Sequence, residues 1–235
     1  DWDHAAILLA QMLSQSSNAQ AITHLESFVE ANPQAGEARL TLARLLIGEK
    51  RFPAARGHLK RLIEERPNDT EILYPAAMLA LQEGDQAAGK EMLEKLLTSR
   101  FPDKSSLHFF LGQIEEDQKH LGEALGHYRQ VIAGDRFLAA RFRIAQLQLQ
   151  QGSLDDALKT MRETSGKTDA EKARVAMAEA GLLREAKRYD AAFQTLESAL
   201  LVHPDNAELR YDAAMAAEKV GKLEIMEAHL NKLIQ

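Results

Sequence analysis

The stretch that decides the fold is LGQIEEDQKHLGEALGHYRQV, residues 111–131. In this stretch Gly112 precedes Ala124 by twelve residues, and Tyr128 and Val131 lie four and seven residues after Ala124. Residues with these spacings share one face of a helix, so one small and two large side chains face the same way. A glycine on the preceding helix lets the two backbones approach closely. The stretch therefore predicts two closely packed, antiparallel helices.

The same arrangement recurs along the chain at intervals of about 34 residues. Ala43 precedes Ala55 by twelve residues, and Ala180 precedes Ala192 by the same distance. A fixed period predicts one helix-pair unit stacked many times, so we predict an all-α, right-handed superhelical solenoid of about seven helix pairs. The predicted pairs cover approximately residues 2–35, 36–69, 70–103, 104–136, 137–168, 169–206 and 207–235.

The loops of this pattern predict a single domain over residues 1–235. They are only a few residues long, and none is a Gly/Ser-rich or Pro-rich linker. Pro67 and Pro204 follow predicted helix ends, and Asp69 and Asn206 are placed to cap the next helix. Because the chain begins at Asp1 and stops at Gln235 inside a helical pattern, we expect it to be a fragment of a longer protein.

The composition excludes several functional classes. Cysteine is absent, which removes disulfides, thiol catalysis and cysteine-ligated zinc. The net charge is −6 and no run of Lys and Arg occurs, so nucleic acid is not an expected partner. No apolar stretch of about 18 residues occurs, so we expect no direct membrane insertion by this chain.

Motifs for catalysis are also missing. Gly166-Lys167-Thr168 has the order of a phosphate-loop ending, but Met161 occupies the place of the required first glycine. His120 and His127 lack the spacing of a helical zinc site, and the acidic run 115–117 is explained by a solvated helix face. We therefore predict that the chain is not an enzyme and has no cofactor or metal. An enzyme that uses carboxylates and histidines from different repeats is a remote alternative.

The period and its small residues resemble the tetratricopeptide repeat over essentially the whole chain. That resemblance implies that the first helix of each pair lines a concave face. Equivalent positions on these helices form one row that is mostly aromatic or Met, and a second row one turn further on. A row of this kind, flanked by Gln, suits an adaptable peptide groove, whereas the alternative is that it packs between neighbouring helices. The predicted partner-binding residues are Leu40, Arg44, Tyr74, Met78, Phe109, Gln113, Phe142, Gln146, Met177, Arg184, Tyr211 and Met215.

Several segments also resemble the repeat region of tetratricopeptide lipoproteins of Gram-negative bacteria. The resemblance implies a larger protein at the periplasmic face of the bacterial outer membrane, and some members of that family are adaptors for carboxy-terminal processing proteases. The lipid-bearing cysteine of such proteins is not in this chain. The segments are residues 73–82, 111–114, 178–186 and 211–219.

These observations lead to one main prediction of function. We expect a non-catalytic scaffold or adaptor that holds a partner peptide or protein in the concave groove, in the envelope if the lipoprotein resemblance holds. The apolar first row does not match the Lys and Asn with which related repeats hold a chaperone's C-terminus. The alternative function is self-association, because Leu230, Leu233 and Ile234 at the last repeat would be exposed.

Overall fold

The computed structural model describes residues 2–164 and 166–234, and within them it contains fourteen α-helices and no strand. The helices follow one another as seven pairs, each joined by a turn of a few residues, and the pairs begin and end where the repeat predicts. The prediction of an all-α fold of helix pairs is confirmed. The helices are α1 Trp2–Ser14, α2 Asn18–Ala31, α3 Gly36–Gly48, α4 Phe52–Glu65, α5 Thr70–Gln82, α6 Gln86–Thr98, α7 Lys104–Asp117, α8 Leu121–Arg129, α9 Phe137–Gln150, α10 Leu154–Arg162, α11 Asp169–Glu185, α12 Tyr189–Val202, α13 Ala207–Lys219 and α14 Leu223–Leu233.

The chain divides into two compact units, Asp1–Leu107 and His108–Gln235. The boundary falls inside α7, where the sequence has no linker composition. The first unit has one continuous apolar core, which reaches from Ala10 on α1 to Leu79 on α5. The second unit has a cluster around Tyr128 and another around Leu196. The prediction of one domain over the whole chain stays a prediction.

The small residues of the repeat lie in these cores, as the pattern predicts. Ala55, Ala124 and Ala192 on the second helices have no exposed surface. Gly112 faces the ring of Tyr128 rather than Ala124, because a Cβ atom added to Gly112 would lie 2.7 Å from a ring carbon. The glycine therefore makes room for a large aromatic side chain of the adjacent helix.

The helix ends are set by local chemistry. The side chains of Asp69 and Asn206 accept hydrogen bonds from the first turns of α5 and α13, so the predicted caps are confirmed. From the second pair to the seventh, the second residue after the first helix has a positive φ, as at Gly84 and Gly152. A lysine occupies this left-handed position in other pairs, for example Lys119.

Candidate partner-binding surface

The predicted first row is not uniformly open in the first unit. Leu40 is only 2% exposed and belongs to the core, so its prediction as a partner contact is wrong. The neighbouring helices supply enough large side chains to close over it. Tyr74 is half-buried, and its ring stacks on that of Phe101 with centroids 5.1 Å apart. In this unit the row mainly fills space between helices.

The second row of the first unit keeps more of its surface. Arg44 is exposed, and its guanidinium donates to the Glu71 carboxylate at 2.6 Å. Met78 is half-buried one turn after Tyr74. A partner that used Arg44 would therefore have to compete with Glu71.

Phe109, in the second unit, is also a core residue. It is 5% exposed, and its ring lies 5.8 Å from that of Tyr128 between centroids. The Arg136 guanidinium covers it from outside, 5.5 Å from the ring centroid. The prediction of Phe109 as an open anchor is wrong, because Tyr128 and Arg136 occupy the space that a partner would need.

Three residues of the predicted first row do border open space in the second unit. Phe142 on α9 and Met177 on α11 are half-buried, with part of each side chain in the core. Tyr211 on α13 is 53% exposed. The helices α9, α11 and α13 lie side by side, since α11 contacts both of the others. These residues border two neighbouring hollows.

The first of these, the α9–α11 hollow, has a volume of about 530 Å³. Its apolar wall comes mainly from α9, and its charged wall from the start of α11. Among the described residues, neither the Lys167 ammonium nor the Arg174 guanidinium has a hydrogen-bond or ion-pair partner. The lining also carries two carboxylates, so the hollow is of mixed charge. It includes Ile132, Phe137, Leu138, Phe142, Lys167, Arg174, Asp135 and Glu171.

The second, the α11–α13 hollow, has a volume of about 560 Å³ and, among the described residues, is lined by carboxylates without a cation. Met177 and Tyr211 form its apolar surface together with Leu233 of α14. Glu208 and Asp212, from the first two turns of α13, supply its carboxylates, and neither pairs with a cation in the described part of the chain. The first hollow thus offers apolar contacts next to both cations and carboxylates, and the described lining of the second offers them next to carboxylates alone.

The remaining predicted residues differ in how far their side chains are exposed. Gln113 is exposed on α7, and Arg184 is exposed near the end of α11. Met215 is half-buried on α13, one turn beyond Tyr211. Gln146 is exposed, but its side-chain oxygen accepts a hydrogen bond from Arg143 at 3.0 Å. Gln146 is therefore the one residue of this group that is held by a neighbour on its own helix.

Arg143 joins Gln146 to a polar network that the sequence did not reveal. Its guanidinium donates to both oxygens of Glu116, and the Tyr128 hydroxyl donates to the same carboxylate at 2.9 Å. Burial, together with the hydrogen bond and charge of Glu116, raises the pKa of Tyr128 well above its usual range. Burial alone would lower the pKa of Arg143, but the Glu116 carboxylate outweighs burial and raises it. The network ties α7, α8 and α9 together beneath the Phe142 side of the surface.

A further groove in the first unit was also missed by the sequence reasoning. It lies between α4 and α6 above α5, with a volume of about 470 Å³. Small residues on its floor, Ala76 and Ala80, make it deep, and the ion pair between Arg56 and Glu83 crosses its rim. The Ala-rich sequence of α5 was the available signal.

The segment that shares its order with a phosphate loop has a structural role. The Thr168 side chain accepts from the backbone N–H of Glu171, and the Glu171 carboxylate accepts from the backbone N–H of Thr168. This is a capping box at the start of α11.

Among the described residues, no helix is both long and apolar enough to cross a bilayer.

Comparison with known proteins places these features in a family. One family model described as tetratricopeptide repeat matches residues 12–80, and another with the same description matches residues 74–139 and 142–207. The TPR repeat-containing protein PA4667 of Pseudomonas aeruginosa is 31% identical over 127 residues, which is 54% of this chain. The matched region spans only 22% of that relative.

Solved structures share the fold. A tetratricopeptide repeat protein from Parabacteroides merdae ATCC 43184 aligns with a TM-score of 0.68 and 13% identity, over 98% of this chain and 91% of that one. YrrB, described as a TPR protein with an unusual peptide-binding site, aligns with a TM-score of 0.57 and 19% identity, over 85% of this chain and 98% of that one. The two segments matched by the second family model, residues 74–139 and 142–207, cover more than half of the sequence. This chain therefore belongs to the tetratricopeptide repeat family.

Proposed function

We propose that the chain is a non-catalytic scaffold that binds an extended peptide segment across the α9–α11 and α11–α13 hollows. Protein binding is the general use of stacked helical repeats, which present long surfaces rather than closed catalytic pockets. The observation that carries the proposal is that Phe142, Met177 and Tyr211, on three neighbouring first helices, border two adjacent hollows. YrrB, with the same fold, is described as having a peptide-binding site, which supports this use of the fold.

The spacing of the hollows limits the form of the peptide. Neighbouring packed helices lie about 8–10 Å apart. A peptide in the polyproline II conformation advances about 3.1 Å per residue and has three residues per turn, so apolar side chains three residues apart share one face and would reach both hollows. An acidic group beside the first anchor would meet Lys167 and Arg174, and a basic group beside the second would meet Glu208 and Asp212.

The first experiment identifies the partner by its position on the surface. A photoreactive phenylalanine analogue replaces Tyr211 in one variant and Leu201, which is 86% exposed on α12, in a control variant. Both variants are exposed to the proteins of the source cell and irradiated. We expect a product specific to position 211, and mapping of the crosslinked peptide gives the segment that binds. Equal products from both positions would count against the surface.

The second experiment uses calorimetric titration to measure the affinity of the chain for the segment that the first experiment identifies. Because aromatic anchors at an interface centre contribute about 2 kcal/mol or more, Tyr211→Ala should weaken binding by about 30-fold. Arg174→Glu should weaken it by reversing a charge at the rim, whereas Leu201→Ala should leave it unchanged. If Tyr211→Ala and Arg174→Glu both bind with the affinity of the unmodified chain, the proposal is wrong.

We also propose that the chain serves as part of an envelope adaptor, at the periplasmic face of the bacterial outer membrane, that brings substrates to a protease. The support is the resemblance of residues 73–82 and 178–186 to tetratricopeptide lipoproteins and the match to PA4667 of a Gram-negative bacterium. Fractionation of cells that produce the full-length protein tests the compartment. Co-purification with a carboxy-terminal processing protease tests the role, and a cytoplasmic location would contradict both.

Self-association is a second candidate, favoured by the exposed apolar side chains of the last pair. No residue of α14 is buried, and Leu223 and Ile234 are 59% and 83% exposed. A second copy could cover this surface. Sedimentation at increasing concentration should then show a dimer that Leu233→Glu dissociates, and a monomer at every concentration would refute this candidate.

A further inference from the structure

Two histidines of the fourth helix pair form a cluster that the peptide-binding proposal does not use. His108 lies on α7 and His127 on α8, and their Nδ1 atoms are 3.1 Å apart. The ring centroids are 5.4 Å apart and the ring planes differ by 39°. Both side chains are half-buried, so the rings are held in place while one side stays accessible to water.

The distance between these nitrogens suits two ligands of one metal ion. Imidazole nitrogens bind Zn²⁺ at about 2.0–2.1 Å, so two of them 3.1 Å apart would subtend an angle of about 98° at the ion. That angle lies between the octahedral and tetrahedral values. We propose that His108 and His127 chelate a divalent transition-metal ion of the kind that imidazole prefers, namely Zn²⁺, Ni²⁺ or Cu²⁺.

Two other histidines of the chain lie beside carboxylates. The His120 imidazole lies 2.9 Å from the Glu115 carboxylate, and the His229 imidazole lies 2.7 Å from that of Glu197. An imidazole beside a carboxylate is satisfied by a proton, because the pair is then a charge-assisted hydrogen bond. Two imidazoles can share only one proton at this distance without repulsion. A metal ion instead accepts a lone pair from both.

The site would be open and exchangeable. In the described part of the chain, no group of three or more His, Asp or Glu residues is placed to hold a metal, so water would complete the coordination. Two protein ligands still connect α7 to α8. The nine-residue helix α8 contains Gly122 and Gly126, neither of which has another atom near its Cβ position, so packing does not require these glycines. A helix weakened in this way gains most from a link to its neighbour.

The test uses the chain without any histidine tag, freed of metal with EDTA. Calorimetric titration with ZnCl₂ and with NiCl₂ should show one ion per chain, and the melting temperature should rise and return when EDTA is added. Replacing either His108 or His127 with Asn should weaken binding of the metal ion about tenfold or more, whereas His229→Asn should leave it unchanged. MgCl₂ should have no effect, because Mg²⁺ prefers oxygen ligands.

A second measurement needs no substitution. Electron paramagnetic resonance of the Cu²⁺ complex at equal concentrations should show coupling to two imidazole nitrogens. The proposal is overturned if no ion binds, if the Cu²⁺ spectrum shows fewer than two nitrogens, or if the doubly substituted chain, His108→Asn with His127→Asn, binds as tightly as the unmodified one. These outcomes do not depend on the peptide surface.

Discussion

Gly112 is the residue on which the packing of the fourth pair depends. The ring of Tyr128 fills the space where a Cβ atom would lie, and Tyr128 has no exposed surface. The small residue of the repeat is therefore not interchangeable with alanine at this position. Other glycines of the chain, such as Gly126, have open space around the Cβ position.

The two glycines of this pair predict opposite effects of the same substitution. Gly112→Ala should destabilise the fold by about 1–3 kcal/mol, because the rigid ring of Tyr128 must move. Gly126→Ala in the middle of α8 should stabilise it by about 0.5–1 kcal/mol, because alanine favours the helix and nothing obstructs its Cβ. Urea unfolding of both variants measures the difference. A stabilising effect of Gly112→Ala would contradict the packing.

Tyr128 also predicts a pH dependence. Burial and Glu116 raise its pKa above the ordinary value of 10.0, so the folded state holds the phenolic proton more tightly than the unfolded state. The stability from this difference is fully present below about pH 10 and is lost as the pH rises above it. Between pH 9 and pH 11.5, the free energy of unfolding of Tyr128→Phe should fall less steeply than that of the unmodified chain.

A control separates this effect from general alkaline unfolding. Tyr189, on α12, has a half-buried ring contacted by the Lys219 ammonium, 5.1 Å from its centroid. Tyr189→Phe removes the same hydroxyl group from a different helix and serves as the comparison. Identical slopes for Tyr128→Phe and Tyr189→Phe would show that the Tyr128 hydroxyl is not held as the structure indicates.

At the scale of elements, the turns within the pairs follow one rule. The residue two positions after the first helix has a positive φ in every such turn from the second pair to the seventh. It is a glycine in three turns, Gly84, Gly152 and Gly221, and a lysine in three, Lys50, Lys119 and Lys187. The left-handed backbone is costly for a residue with a Cβ, so the lysines carry strain that the glycines do not.

This rule predicts that glycine at the lysine positions stabilises the chain. Lys119→Gly should raise the free energy of unfolding by about 0.5–1 kcal/mol, because it relieves a strained φ of 65° at little cost elsewhere. Lys119→Ala is the matched control, since it removes the same charge but keeps the Cβ. If both variants change stability equally, charge rather than backbone conformation is responsible.

Arginines tie the loops between pairs at equivalent places. The Arg39 guanidinium donates to the carbonyl oxygen of Pro33 at 2.8 Å, and the Arg210 guanidinium donates to that of Pro204. In both cases the arginine lies six residues after the proline, in the first turn of the next helix. Each loop is thus closed by an arginine side chain, and in the second case the Asn206 cap adds a further hydrogen bond.

At the scale of the whole molecule, a substitution in the core of the second unit should destabilise mainly the helices next to it. In a stack of repeats each pair contacts its neighbours, so stability is a sum of repeat and interface contributions. Leu196 lies at the centre of the α12 contacts with no exposed surface, and α12 contacts α11 and α13. Loss of the Leu196 side chain should therefore destabilise α11 and α13 more than the other helices.

Hydrogen exchange tests this directly. Leu196→Ala should cost about 2–5 kcal/mol by leaving a cavity, and amide protection should fall most in α11, α12 and α13 and less in α8. Leu201→Ala, on the same helix at an exposed position, should change neither stability nor exchange. A uniform loss of protection from α8 to α14 would mean that this unit opens only as a whole.

The sequence by itself determined the helix pairs, their boundaries and the place of the small residues. These features depend on residues close in the chain, such as Gly112 with Tyr128 or Asp69 with the first turn of α5, so local spacing and capping chemistry suffice to predict them. It also identified Phe142, Met177 and Tyr211 as members of one row. The lysine and the arginine of the α9–α11 hollow, Lys167 and Arg174, were not predicted as partner contacts.

Only the tertiary structure decided which members of that row are open. Leu40 and Phe109 hold equivalent repeat positions to Tyr211, yet they are 2% and 5% exposed against its 53%. The physical reason is that exposure depends on the size of side chains contributed by other helices and loops, such as Tyr128 and Arg136 around Phe109. The contacts of His108 with His127 and of Arg143 with Glu116 are of the same kind. They join residues on different helices, so they exist only once the helices have packed.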